Sequence, residues 1–132
     1  MKRILILISS ILLSTSLMAA GGDGGSSSSG NGGSKASLYD DAVKLVKRAG
    51  KLEKNEKTEK AKKLYSQAFN KLEKAYKSDK KNPDVLNYMG FTSRKIGNFE
   101  KAEEFYLKGL SIKPDHNGIN EYLGELYVQT NR

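Results

Sequence analysis

The side chains able to carry chemistry are few and badly placed for it. The chain has one histidine, His116, and no cysteine in 132 residues. That excludes disulfides, thiolate nucleophiles, thiolate zinc sites and cysteine-held iron–sulfur clusters. A Ser–His–acid triad would have to use His116, which follows Pro114-Asp115 in a turn. Adjacent carboxylates occur twice, as Asp40-Asp41 and Glu103-Glu104. The first pair is expected in the opening turn of a helix, where negative charge favours the helix dipole. The second is expected on a charged outer face, and neither has a neighbour that would tune it for acid–base work. The chain is therefore expected to be no enzyme, to hold no metal or cofactor, and to take no small-molecule substrate.

Charge is the stronger signal. Lys and Arg number 23 against 15 Asp and Glu, a formal net charge of +8. The excess is local: Lys44 to Lys81 hold 14 basic and 5 acidic residues, whereas from Asn82 onward there are 6 and 7. Lys44, Lys47, Arg48, Lys51 and Lys54 fall on one stripe at helical spacing. Leu38, Ala42, Leu45, Ala49 and Leu52 fall on the opposite one. Such a stripe suits an anionic partner, namely lipid headgroups, an envelope polymer or an acidic protein, and it is also what an ordinary solvated face looks like. Nucleic acid is not expected, because Tyr65, Phe69 and Tyr76 sit at packing positions instead of interleaving with the basic residues.

Three segments position these residues. Residues 1–20 read as a secretory signal: Lys2-Arg3, an apolar run from Ile4 to Leu13, then small residues around Ala19-Ala20. The run is shorter than the ~20 residues a membrane span needs, so a periplasmic or secreted protein is expected ahead of an N-terminally anchored one. Residues 21–37 are a Gly/Ser-rich flexible linker, too polar to offset the entropy of ordering. Residues 38–132 carry helical periodicity throughout.

That last segment is built from a repeat. Asn87-Tyr88-Met89-Gly90 recurs as Glu121-Tyr122-Leu123-Gly124, and the step from Gly90 to Gly124 sets the period. Within residues 83–116, Gly97-Asn98 divides two amphipathic stretches. Pro83 opens the unit at a first-turn position and Pro114 closes it. Leu86, Met89, Gly90 and Ser93 share a face in the first stretch; Ala102, Phe105, Tyr106, Gly109 and Leu110 share one in the second. The small residues, Gly124 included, are expected to let helix backbones approach closely.

This pattern resembles the tetratricopeptide repeat, a helix–turn–helix of the same period that carries W-x2-L-G-x2-Y, A-x3-F and a closing Pro. Leu86 stands at the Trp place, Met89-Gly90 at Leu-Gly, Ser93 at the Tyr place, then Ala102, Tyr106 and Pro114. Residues 117–132 begin another copy, ending either as a capping helix or as part of a longer array. Upstream, Ala49 precedes Gly90 by one period and a further heptad, and Ala61, Ala68 and Ala75 recur at heptad spacing. Residues 38–82 are therefore expected to be a stretched repeat whose second helix runs from about Thr58 to Ser78, two turns longer than usual.

The resemblance implies an all-α fold, a short right-handed solenoid of about two and a half helix–turn–helix repeats. It also implies a non-enzymatic protein-interaction or scaffold module holding a peptide or partner helix in a concave groove, and the secretory segment would place that module in the cell envelope. Carried over by register, the groove positions are Asp84, Asn87, Phe91, Arg94, Lys95, Glu121, Glu125 and Gln129. The alternative is electrostatic binding of an anionic envelope surface or polymer through the Lys-rich first repeat.

Overall fold

The computed structural model describes residues 35–132, side chains from Ser37 onward. The signal segment and most of the linker lie outside the described residues. Among the described residues five helices follow one another: α1 Lys35–Lys54, α2 Thr58–Ser78, α3 Pro83–Lys95, α4 Phe99–Ile112 and α5 Asn117–Gln129. There is no strand among them. Each helix packs mainly on its neighbours in sequence, and α3 also touches α1 and α5. The architecture is thus α1–α2, α3–α4 and a final α5, two helix pairs and half of a third.

Helix α1 starts at Lys35, ahead of the expected boundary at Leu38. Asp40 and Asp41 consequently lie in the second turn, and no acidic residue occupies the first. This corrects the helix-dipole role expected for them. Asp41 instead pairs with Lys71 of α2 at 3.3 Å and with Lys44 at 3.7 Å. Helix α2 has the bounds expected from its heptad spacing, and buries Ala61, Tyr65, Ala68, Leu72 and Ala75. At 1.5 Å per residue it is roughly 30 Å long.

The helix ends repeat as the sequence does. The Asn82 side chain accepts from the Asp84 and Val85 N–H groups, with Pro83 in the first turn. Helices α1, α3 and α5 each terminate in a Schellman turn whose left-handed residue is Glu56, Gly97 and Asn131 respectively. Its paired hydrogen bonds are Glu56 N to Glu53 O with Lys57 N to Leu52 O, and Gly97 N to Arg94 O with Asn98 N to Ser93 O. In α5 they are Asn131 N to Val128 O with Arg132 N to Tyr127 O. From Gly97 to Asn131 is one sequence period, and from Glu56 to Gly97 one period and a heptad. The stretched first copy is therefore in register with the second.

Two core clusters result. Ala42, Val46 and Ala49 of α1 pack with the buried face of α2 and with Val85 and Met89 of α3. Ala102 and Tyr106 of α4 pack with Ile119, Leu123 and Leu126 of α5. Ser93, at the Tyr place, is 1% exposed, so the smaller side chain leaves no opening there. Close approach is real at two of the glycines singled out by the repeat: a Cβ on Gly90 would overlap the Tyr106 ring, and one on Gly109 would overlap Ile119 Cδ1. Gly124 departs from this, since a Cβ there would meet nothing within 4 Å. Its face of α5 has no helix against it, which corrects the role expected from the repeat.

Gly90 and Gly124 should respond oppositely to the same change. Gly90→Ala forces α3 from α4 and is expected to cost about 1–3 kcal/mol, the usual range for overpacking. Gly124→Ala adds a helix-favouring residue in open space and should stabilise by about 0.5–1 kcal/mol. Urea unfolding followed by circular dichroism checks both.

Candidate partner-binding site

The odd-numbered helices bring one face each to a shared hollow. Glu53 from α1, Arg94 and Lys95 from α3, and Glu125, Val128 and Gln129 from α5 line an open cleft of about 600 Å³. Phe91, one turn before Arg94, is half-buried beside it. Its ring lies 4.9 Å from Tyr122 of α5 and 6.0 Å, edge-on, from Tyr65 of α2. Arg94 sits over Phe91 and Tyr122 with its guanidinium carbon 5.6 and 6.0 Å from the ring centres. Lys95 Nζ lies 5.6 Å from the Phe91 centroid and 5.8 Å from that of Tyr65.

Both cations are also neutralised by carboxylates. Lys95 Nζ is 2.8 Å from Glu53 Oε2, which accepts as well from the Tyr65 hydroxyl at 2.9 Å. Arg94 pairs with Glu125 and reaches Gln129 Oε1 at 3.4 Å. The Arg94 side chain is only 10% exposed, so this pair is shielded from solvent on the cation's side. Val128 is the outlier among the lining residues: an aliphatic side chain 78% exposed. The cleft thus offers two self-paired charges and one uncovered apolar wall.

The phenols around it are held neutral. Burial, then the bond to Glu53, pushes Tyr65 upward. Burial raises Tyr106, with the nearby Arg94 guanidinium acting the other way. Tyr122 is raised chiefly by burial and then by Tyr88. At the other end of α1, Tyr39 packs edge-on against Tyr88 of α3, ring centres 5.7 Å apart, and burial followed by Tyr88 pushes it to about 12.

The expected groove positions separate into three groups. Arg94, Lys95, Glu125 and Gln129 line the cleft. Phe91 belongs to the aromatic cluster beneath it, and Glu121 is exposed on α5 without joining the lining. Asn87 and Asp84 lie apart from the cleft lining. Asn87 is 7% exposed, with its amide packed where a Gly118 side chain would otherwise lie and its Oδ1 without a hydrogen-bond partner. Asp84 accepts at 2.9 Å from His116 Nε2, joining the starts of α3 and α5. The five basic-stripe residues, Lys44, Lys47, Arg48, Lys51 and Lys54, are all exposed.

Two lining residues escaped the sequence reading, Glu53 and Val128, although register points to both. Glu53 precedes Arg94 by the long interval, and Val128 follows it by the ordinary period. The role of His116 escaped too. It caps α5: Nδ1 accepts from the Ile119 N–H at 3.1 Å. An accepting Nδ1 leaves the proton on Nε2, which donates to Asp84. The histidine is thereby spent on structure.

The fold is an all-helical repeat similar in arrangement to the tetratricopeptide type: helix pairs at a regular interval, one interval longer by a heptad, and a concavity formed by the first helix of each pair. Among solved structures the chain is similar to the first TPR of Spaghetti (RPAP3) bound to an HSP90 peptide, at 13% identity and a TM-score of 0.46, covering 71% of this chain and 96% of that one. No family profile and no curated protein sequence matches it.

Two measurements check this account. His116→Ala removes the cap and should cost about 1 kcal/mol in urea unfolding, while His116→Asn, which keeps a capping acceptor, should cost less. Tyr39, Tyr65, Tyr106 and Tyr122 have folded values above the ordinary 10.0, so their contribution is complete below pH 10. It is lost as pH rises from there through about 12, the value for Tyr39. Thermal stability should therefore fall across that window, with tyrosinate absorbance lagging behind that of free tyrosine.

Proposed function

We propose that this chain is a non-enzymatic interaction module that holds a segment of another protein in the cleft between α1, α3 and α5. The observation that carries the reading is the uncovered Val128 beside two cations that each already hold a carboxylate. An exposed aliphatic residue in a concavity gains from apolar contact, and its neighbours give that contact a polar rim. Because Arg94 and Lys95 already hold Glu125 and Glu53, an acidic ligand would have to displace a carboxylate from each. A segment with one apolar side chain for Val128 and a basic or neutral polar flank fits without such exchange. The secretory reading of residues 1–20 supports a partner in the periplasm or outside the cell.

Selecting peptides from a displayed library with the full chain would supply ligands to test. Val128→Glu should weaken the selected peptides about tenfold or more, the loss of one buried aliphatic side chain. The melting temperature should not change, since residue 128 is solvent-facing. Selected peptides that bind the Val128→Glu chain as well as the original would refute the cleft as their site.

A further inference from the structure

A second surface lies on α1 and has different physics. Along its outer face Lys44, Lys47, Arg48, Lys51 and Lys54 are exposed over about 15 Å of helix. Some surface cations are paired within 4 Å: Lys62 with Glu59, Lys101 with Glu104, Lys71 with Asp41 and Arg132 with Glu103. Others, such as Lys60, Lys63, Lys74 and Lys77 of α2, are exposed and in no such pair among the described residues; what sets α1 apart is that its cations crowd one short face. Among the described residues, Lys47, Arg48, Lys51 and Lys54 have no carboxylate at that distance, and Lys44 reaches only Asp41, at 3.7 Å. The stripe also sets Lys44 beside Arg48 and Lys47 beside Lys51 at i,i+4, where like charges destabilise a helix. The helix dipole favours Lys51 and Lys54 in the last turn, and Asp41 lies near Lys44, but Lys47 and Arg48 have neither form of compensation among the described residues.

The shape of the stripe selects among anions. It is a single helix face without an aromatic residue or a pocket, so it offers no base-stacking platform and no shaped recess for a protein side chain. A fluid sheet of anionic headgroups needs neither, because lipids rearrange beneath fixed charges. The helix begins at Lys35, directly after a segment that reads as an apolar export signal followed by a Gly/Ser tether. Of the described helices, α1 is the one nearest in sequence to that membrane-directed segment. Its apolar residues Ala42, Val46 and Ala49 are buried in the core, so contact with a bilayer would be electrostatic, without insertion. We infer that the basic face of α1 docks on the surface of an anionic phospholipid bilayer, leaving the cleft free.

The full chain should co-sediment at low salt with vesicles made of equal parts phosphatidylglycerol and phosphatidylcholine. Vesicles of phosphatidylcholine alone read whatever the apolar N-terminus contributes. Binding above that baseline should vanish between ~0.05 M and ~0.5 M salt as screening shortens. Replacing Lys47 and Lys51 together with Gln should lower partitioning about 25-fold, at about fivefold per basic residue. It should not lower the melting temperature, since Gln matches Lys in helix propensity and the change removes repulsion. The pair Lys74→Gln and Lys77→Gln, on the exposed side of α2, should change it less than about threefold if position matters more than net charge. Equal loss from both pairs, or equal binding to neutral vesicles, would overturn the assignment. So would capture by soluble polyglutamate without binding to anionic vesicles.

Discussion

The absence of a side chain at Gly90, with the Tyr106 ring laid against it, sets the distance between α3 and α4. Most of the remaining arrangement hangs from that contact. Helix α3 is the central element, touching α1, α2, α4 and α5. Its buried side holds Leu86, Met89 and Ser93 against its neighbours, and the residues that emerge from its far end are Phe91, Arg94 and Lys95. A displacement of α3 outward by the width of a methyl group would move all three site residues together. The cleft is therefore positioned by the core and not by the loops.

The electrostatics divide along the same line. In the cleft each cation is stacked on an aromatic ring and held by a carboxylate, so its charge is spent locally and resists screening. On α1 the cations face water and, Lys44 apart, have no carboxylate within 4 Å among the described residues, and their effect is a field that reaches about a Debye length, roughly 8 Å at physiological salt. One surface is suited to selecting a ligand by contact, the other to attracting a charged expanse from a distance. That both occur on so short a helical array follows from the imbalance between the two halves of the chain.

Much of this was legible because the repeat punishes error in spacing. Gly97-Asn98, Pro83 and Pro114 marked the ends of elements, and three alanines at heptad spacing gave the length of α2. The start of α1 was not legible, since Lys35-Ala36-Ser37 follow a glycine run yet are permissive of helix. The burial of Asn87 was not legible, because it depends on Gly118, which arrives on a different helix, and no local pattern records that meeting. Phe91 likewise owes its role to Tyr65 and Tyr122, which come from two other helices. The capping by His116 was obscured by its type, as histidine is an uncommon cap. Glu53 and Val128 were recoverable from register alone, once the long and short intervals were applied to Arg94.

The length of α2 has a consequence for how such a chain can change over time. A heptad turns an α-helix through about 700°, within roughly 20° of two full revolutions. Ala61, Ala68 and Ala75 consequently stay on one side although the helix is lengthened, and the Schellman turns on either side keep their phase. An insertion of about five residues would have rotated everything beyond it by about 140° and pointed the apolar row at water. Lengthening by heptads is thus a route by which a repeat of fixed period admits variation: the array can extend one helix pair without disturbing the phase of what is packed beside it.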